Sequence, residues 1–199
     1  SQLSVGGAEL PFTTTHVSAA AGLVTWALIE SIKDGKASAV GMATGAVAGL
    51  VGITPAAGFV SPASGMLIGA ITSCICFLSI KLKIKLSFDD SLDTFAVHGV
   101  GGTVGAILTG IFAKSELIAS HPAGLVLQEQ GRFGLVLGQF QAVLIAYAIA
   151  AIGTFIIALV LKSLGCSFRV SEIQEESGLD ISQHGEDAYG EKTGSPTTI

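Results

Sequence analysis

The sequence predicts an all-α fold: a polytopic membrane helix bundle. Half of the 199 residues are hydrophobic and only 13% are charged, about half the charged share of an ordinary soluble domain. The mean hydropathy is +0.69. Five apolar runs lie between short polar segments, and about 20 apolar residues suffice to cross a bilayer as a helix. The 26 glycines suit membrane helices, whose backbones approach closely where side chains are small. The net charge of −5 says little about partners, because much of the acid sits in the last 35 residues. No basic patch with interleaved aromatics points to nucleic acid.

The first helix is expected at about 11–32, around the run Val17-Ser18-Ala19-Ala20-Ala21-Gly22-Leu23-Val24. Trp26 and Glu30 lie near its far end, where interfacial anchors belong. His16, behind Thr13, Thr14 and Thr15, is read as a packed or interfacial histidine. Lys33-Asp34-Gly35-Lys36 makes a tight polar loop. The second helix, 39–57, carries Gly41, Gly45 and Gly49 at four-residue spacing, a packing signal rather than a site. Pro55 ends or kinks it. The third, 63–82, repeats the pattern with Gly65 and Gly69 and closes on Lys81, Lys83 and Lys85. The fourth, 90–112, carries the candidate chemistry. Residues 114–132 are expected to form a polar loop holding His121-Pro122. The fifth helix, 133–164, would be about 48 Å long at 1.5 Å per residue. That suits a tilted helix on the outside of a bundle. The membrane region is thus 1–164, and 165–199 is a polar tail with the acidic run Glu172-Ile173-Gln174-Glu175-Glu176.

The fourth helix follows Asp89, Asp90 and Asp93, and His98 lies inside its apolar run. An ionisable group at that depth is costly unless it faces a cavity or a partner, so it is a functional candidate by default. At 3.6 residues per turn, Thr94, His98, Gly101, Gly102, Gly105 and Thr109 share one broad face. Two readings of that small-residue face stand side by side. It borders a narrow lumen, or it packs closely against a neighbouring helix that hydrogen-bonds His98. Asp89 or Asp90 is placed to cap the helix, and acids in the first turn suit the positive end of its dipole. Asp93, one turn before His98, is also placed to attract cations at a pore mouth.

Lysine and arginine counting sets the orientation. Lys33, Lys36, Lys81, Lys83, Lys85, Lys162, Arg169 and Lys192 fall on one side, and Lys114 and Arg132 on the other. The tail is therefore expected in the cytoplasm and Ser1 outside. The start has no charged leader pattern, and the chain reads as a fragment of a longer one. Three cysteines are too few for a disulfide framework. No His/Cys cluster has metal-ligand spacing, and no cofactor is expected. Gly99-Val100-Gly101-Gly102-Thr103-Val104 imitates a dinucleotide fingerprint, but its last glycine is missing and it lies within a membrane span. No serine or cysteine nucleophile has a nearby base, so no enzyme is indicated.

The run from Asp89 through Phe95-Ala96-Val97-His98-Gly99-Val100-Gly101-Gly102 resembles the most recognisable block of the ammonium transporter family. Ala46-Val47-Ala48-Gly49-Leu50-Val51-Gly52-Ile53-Thr54-Pro55-Ala56-Ala57-Gly58 is similar to a second block. Gly178-Leu179-Asp180-Ile181-Ser182-Gln183-His184-Gly185-Glu186-Asp187-Ala188-Tyr189 resembles the family's cytoplasmic tail. The resemblance covers about Leu10 to Tyr189. It implies the second half of an eleven-helix ammonium-transporter fold: the last five spans and the tail of a cell-membrane homotrimer in which each protomer has its own pore. It implies that His98 is the second of two pore histidines, that Thr94 lines the lumen just inside it, and that Asp89, Asp90 and Asp93 lie at the cytoplasmic mouth. The first pore histidine and the phenylalanine gate belong to spans this chain lacks. The resemblance further implies that ammonium is deprotonated before ammonia passes. The tail, with Gly178, Asp180, His184 and Tyr189, resembles the segment that binds a PII-type signalling protein. A plain solvated tail is the alternative, and an ammonium sensor signalling through its cytoplasmic part is the alternative function. A sensor is expected to carry a folded signalling domain after the last span, which the short tail does not supply.

Overall fold

The computed structural model describes residues 7–186. It forms two units, 1–147 and 148–199, each described by itself. The helices are α1 (Glu9–Asp34), α2 (Ala39–Ile53), α3 (Pro62–Lys85), a π-helical turn (Phe95–Val100) running into α4 (Gly101–Phe112), α5 (Ser115–Ile118), α6 (Pro122–Ser163) and α7 (Glu172–Ser177). No strand occurs among the described residues. Among the described residues four helical stretches are long and apolar enough to cross a membrane: α1, α3, Phe95–Phe112 and α6.

Local chemistry sets the boundaries. Lys33 lies in the last turn of α1, whose C-cap, Gly35, takes φ 78°. Only glycine adopts that conformation without cost. Ser38 caps α2 by accepting from the Gly41 N–H at 2.9 Å. Ser61 caps α3, with Pro62 in its first turn, the position where a missing N–H costs nothing. The second helix is shorter than the sequence predicts. It stops at Ile53, followed by turns through Phe59, because Pro55 has no N–H to extend the ladder. The stretch expected as a polar loop, 114–132, instead holds α5 and the start of α6. Pro122 opens that start, and Val126 and Leu127 pack onto Ala113, Ile118 and Leu135. Gly131, at φ 68° and ψ −167°, breaks α6 just before the predicted start of the fifth span.

In the first unit α1, α2 and α3 pack against one another, and α4 with its π turn lies across α2 and α3. The contacts run backbone to backbone. A Cβ at Gly49 or Gly69 would overlap the Ser18 carbonyl, one at Gly22 the Gly45 carbonyl, and one at Gly105 the Gly52 carbonyl. Hydroxyls bridge the same contacts. Ser18 Oγ donates to Gly49 O at 2.8 Å, Ser73 Oγ to Gly22 O at 2.8 Å, and Thr14 Oγ1 to Ala57 O at 2.7 Å. Trp26 is not the interfacial anchor its position predicts. It is 4% exposed and meets Phe77 edge-on at 5.2 Å. Its Nε1 donates to Glu30, which also accepts from the Ser38 N–H at 2.8 Å and so ties the α1–α2 loop. In the second unit the end of α6 is exposed along its length. An all-round apolar helix of this kind is stable where lipid covers it.

Two substitutions at one contact separate packing from hydrogen bonding. Ser18→Ala removes a hydroxyl bridge and is expected to cost about 0.6 kcal/mol, the membrane average for such bonds. Gly49→Val forces a side chain into backbone and is expected to cost more than the roughly 1–3 kcal/mol of ordinary overpacking. Thermal unfolding in detergent checks the order, and equal losses would contradict it.

Candidate functional site

The site is assembled on the π turn. Asp90 does the capping: its carboxylate accepts from the Thr94 N–H at 2.9 Å and the Phe95 N–H at 3.0 Å. That resolves the choice left open between Asp89 and Asp90; Asp89 is exposed. Asp93 takes φ +55°, a left-handed conformation that asparagine and aspartate tolerate best. Its carboxylate pairs with Lys83 Nζ, which also donates to Asp90 O. Lys83 is absent from the sequence-level site. Its spacing from Asp93, ten residues across a loop, gives no periodic signal. Asp93 is therefore charge-paired, not a bare acid.

The π turn then presents His98. Such wide turns are rare and recur at functional sites. His98 is exposed and lines an open groove of about 510 Å³ with Val47, Leu50, Val51, Thr54, Pro55, Gly102 and Ala106. The lining is almost wholly apolar. A Cβ on Gly102 would meet nothing within 4 Å, so space stands open beside the ring's own helix. The single broad face expected from the sequence is two rows. His98, Gly102 and Ala106 border the groove. Gly101, Gly105 and Thr109 are buried, with Gly105 against Gly52 and Gly101 against Thr72 and Cys76. One row packs closely against neighbouring helices and the other borders an open groove, because i and i+4 positions form separate rows.

Thr94 stands one turn before His98, exposed, with its N–H on Asp90. His16 is apart from the groove, stacked on Phe12 at 4.2 Å with Nδ1 at 3.0 Å from Phe12 O. In the second unit Gly178 takes φ 91° and ψ 151°, a region open to glycine alone. Asp180 opens a π-helical turn, Asp180–His184, whose closing Gly185 N–H returns to Asp180 O. Tyr189 lies outside the described residues. Arg169 forks onto Glu175, Nε to Oε2 at 2.9 Å and Nη2 to Oε1 at 2.7 Å. The Arg169 hydrogen bond lowers the Glu175 carboxyl below its usual value. No cluster of three potential metal ligands occurs among the described residues.

Four membrane-length apolar helices among the described residues, with an imidazole in an apolar groove between α2 and α4, make this chain part of a multi-pass membrane protein. It belongs to the Ammonium Transporter Family, whose model matches residues 1–189. Among relatives, it is 42% identical over 185 residues to an ammonium transporter of Bacillus subtilis, covering 92% of this chain and 45% of that protein. It is 44% identical over 176 residues to an ammonium transporter of Aquifex aeolicus, covering 88% and 40%. The crystal structure of Saccharomyces cerevisiae Mep2 superposes with a TM-score of 0.66 at 37% identity, over 79% of this chain and 38% of that one. A structure described as a sensor Amt protein gives 0.76 at 26% identity, over 90% and 43%. The chain thus spans less than half the length of the relatives it matches, and the fold is the corresponding part of theirs.

Two predictions follow from the polar contacts. Asp90→Ala is expected to cost about 1 kcal/mol, as for a lost helix cap, and to speed amide exchange at Thr94 and Phe95. Asp89→Ala is expected to change neither. The Arg169–Glu175 fork stabilises the tail above the ordinary carboxylate pKa, near 4.3. Because the folded value is depressed, that contribution is lost as pH falls through it. Side-chain NMR of Glu175 in the intact protein is expected to show a carboxyl titrating below the ordinary glutamate value, and Arg169→Ala to bring it back up.

Proposed function

We propose that the chain forms part of an ammonium transporter of the cell membrane, in which ammonium gives up its proton and ammonia passes along a narrow apolar lumen beside His98. The observation that carries this reading is His98 itself, exposed into a groove whose other lining is nearly all apolar. An isolated ammonium ion taken bare into such surroundings pays a very large desolvation penalty, whereas a neutral polar solute pays a few kcal/mol. An imidazole accepts or donates at either nitrogen and titrates near neutrality, so it serves both as polar contact and as proton relay. In this reading His98 is one of a pair, and its partner comes from spans outside this chain. Thr94 lines the path on the inner side of His98. Asp89, Asp90 and Asp93 lie at the cytoplasmic mouth, the protomers form a homotrimer, and the tail is cytoplasmic. Gly178, Asp180, His184 and Tyr189 belong to a tail surface for a PII-type signalling protein.

The similarity to a sensor Amt protein favours one second reading, an ammonium sensor that signals through its cytoplasmic part. Reconstitution of the full-length protein in liposomes separates the two. The transporter reading expects methylammonium uptake that His98→Ala lowers at least tenfold. Uptake unchanged by His98→Ala removes the imidazole from the pathway. Ammonium binding without any flux supports the sensor.

A further inference from the structure

The π turn has an attachment on the side away from its charged cap. Tyr147 Oη, on α6, donates to Gly99 O at 3.0 Å and lies 2.8 Å from Thr103 Oγ1. Thr103 Oγ1 in turn donates to the same Gly99 carbonyl at 2.8 Å. One backbone oxygen, in the residue directly after His98, therefore receives two hydroxyls from two helices.

The placement is systematic. At the far end of α4, a Cβ on Gly110 would lie 3.0 Å from Val136 Cα, so α4 and α6 nearly touch there. Going back eleven residues from Gly110 reaches Gly99, and going on eleven from Val136 reaches Tyr147. Eleven residues are three helical turns. The two contacts run in opposite directions along the two helices, and both fall on a glycine of the His98 helix. The second contact is polar in an otherwise apolar stretch of α6, Ala142-Val143-Leu144-Ile145-Ala146-Tyr147-Ala148-Ile149. A hydroxyl at that depth has no water to bond, so its geometry is fixed by the protein oxygens in reach, Gly99 O and Thr103 Oγ1.

We propose that Tyr147 is a positioning residue for His98: its hydroxyl pins the Gly99 carbonyl, holds the π turn in its wide form, and thereby sets the direction of the imidazole in the groove. Tyrosine suits the task because its rigid ring delivers a donor at a set distance from α6. Thr103 supplies the second donor from within the helix, a back-bond of the kind that bends helices. Neither hydroxyl touches the groove, so the effect on a solute runs entirely through His98. The functional consequence rests on the transporter reading; the structural one does not.

The test uses Tyr147→Phe in the full-length protein in bilayers, with Thr103→Val as the second variant. Solid-state NMR reads the Gly99 carbonyl and the His98 ring nitrogens, and methylammonium uptake is measured alongside. The Gly99 carbonyl and His98 nitrogen resonances are expected to move in Tyr147→Phe, and more weakly in Thr103→Val. Maximal uptake is expected to fall about fivefold, the scale of one hydrogen bond, with KM within twofold of wild type. His98 resonances unmoved in both variants overturn the proposal, whatever uptake does. If Tyr147→Phe does not fold, Thr103→Val alone decides: unmoved resonances reject the proposal, and moved ones support it. If the resonances move but His98→Ala leaves uptake intact, positioning stands and the pathway reading falls.

Discussion

Facing helices in the first unit leave no room for a Cβ at Gly22, Gly49, Gly69 or Gly105. In a bilayer apolar side chains gain nothing by leaving lipid for protein, so helices associate through close packing and interhelical hydrogen bonds. The serine and threonine hydroxyls bonded to carbonyls of neighbouring helices belong to the same economy of space. They reach only because the backbones are already close. Where α4 follows this rule, along Gly101, Gly105 and Thr109, it is sealed. Where it does not, along His98, Gly102 and Ala106, the groove stays open. The presence of the groove depends on the tightness of the contact behind it.

The π turn sits at the junction of these two rows and is held from unlike directions. The Asp90 carboxylate takes two amides at its start, and Lys83 ties Asp93 and the Asp90 carbonyl to α3. Asp93 accepts a left-handed backbone angle there. Conformations of that kind persist only where neighbours over-determine them. At the other end Gly99 O takes two hydroxyls. A side chain carried on such a turn has little freedom to swing, which is what a fixed polar contact in an apolar groove requires.

Much of this was legible in the sequence, for identifiable reasons. Apolar length located α1, α3 and the His98 helix, because crossing a bilayer imposes a length that composition reveals. Gly41, Gly45 and Gly49 announced close packing by spacing alone. His98 stood out because an ionisable residue in an apolar run has few innocent explanations. What escaped depends on partners far apart in the chain or on a backbone deviation. The π turn has no composition signature, and it splits one predicted face into two rows. Lys83 looked like one of three basic residues closing a span, and only the loop path brings it onto Asp93. Trp26 occupied an anchor position by sequence but is buried because Gly45 and Phe77 surround it. The helical start of α6 was hidden by its glutamine and glutamate, which obscured the small apolar face that packs on Ala113 and Ile118.

The Lys83–Asp93 pair changes the charge at the start of the π turn. A lone carboxylate attracts a cation 4 Å away by about 1 kcal/mol in water and about 4 kcal/mol at the effective dielectric of a protein surface. Three unpaired acids in a row would make the start of the π turn strongly attractive to cations. Here one acid is neutralised by Lys83 and another is committed to backbone amides. The lysine cancels one of the three acidic charges, while the amides held by Asp90 leave its charge in place. That partial cancellation arises from a residue whose importance lies in the loop geometry rather than in its own span.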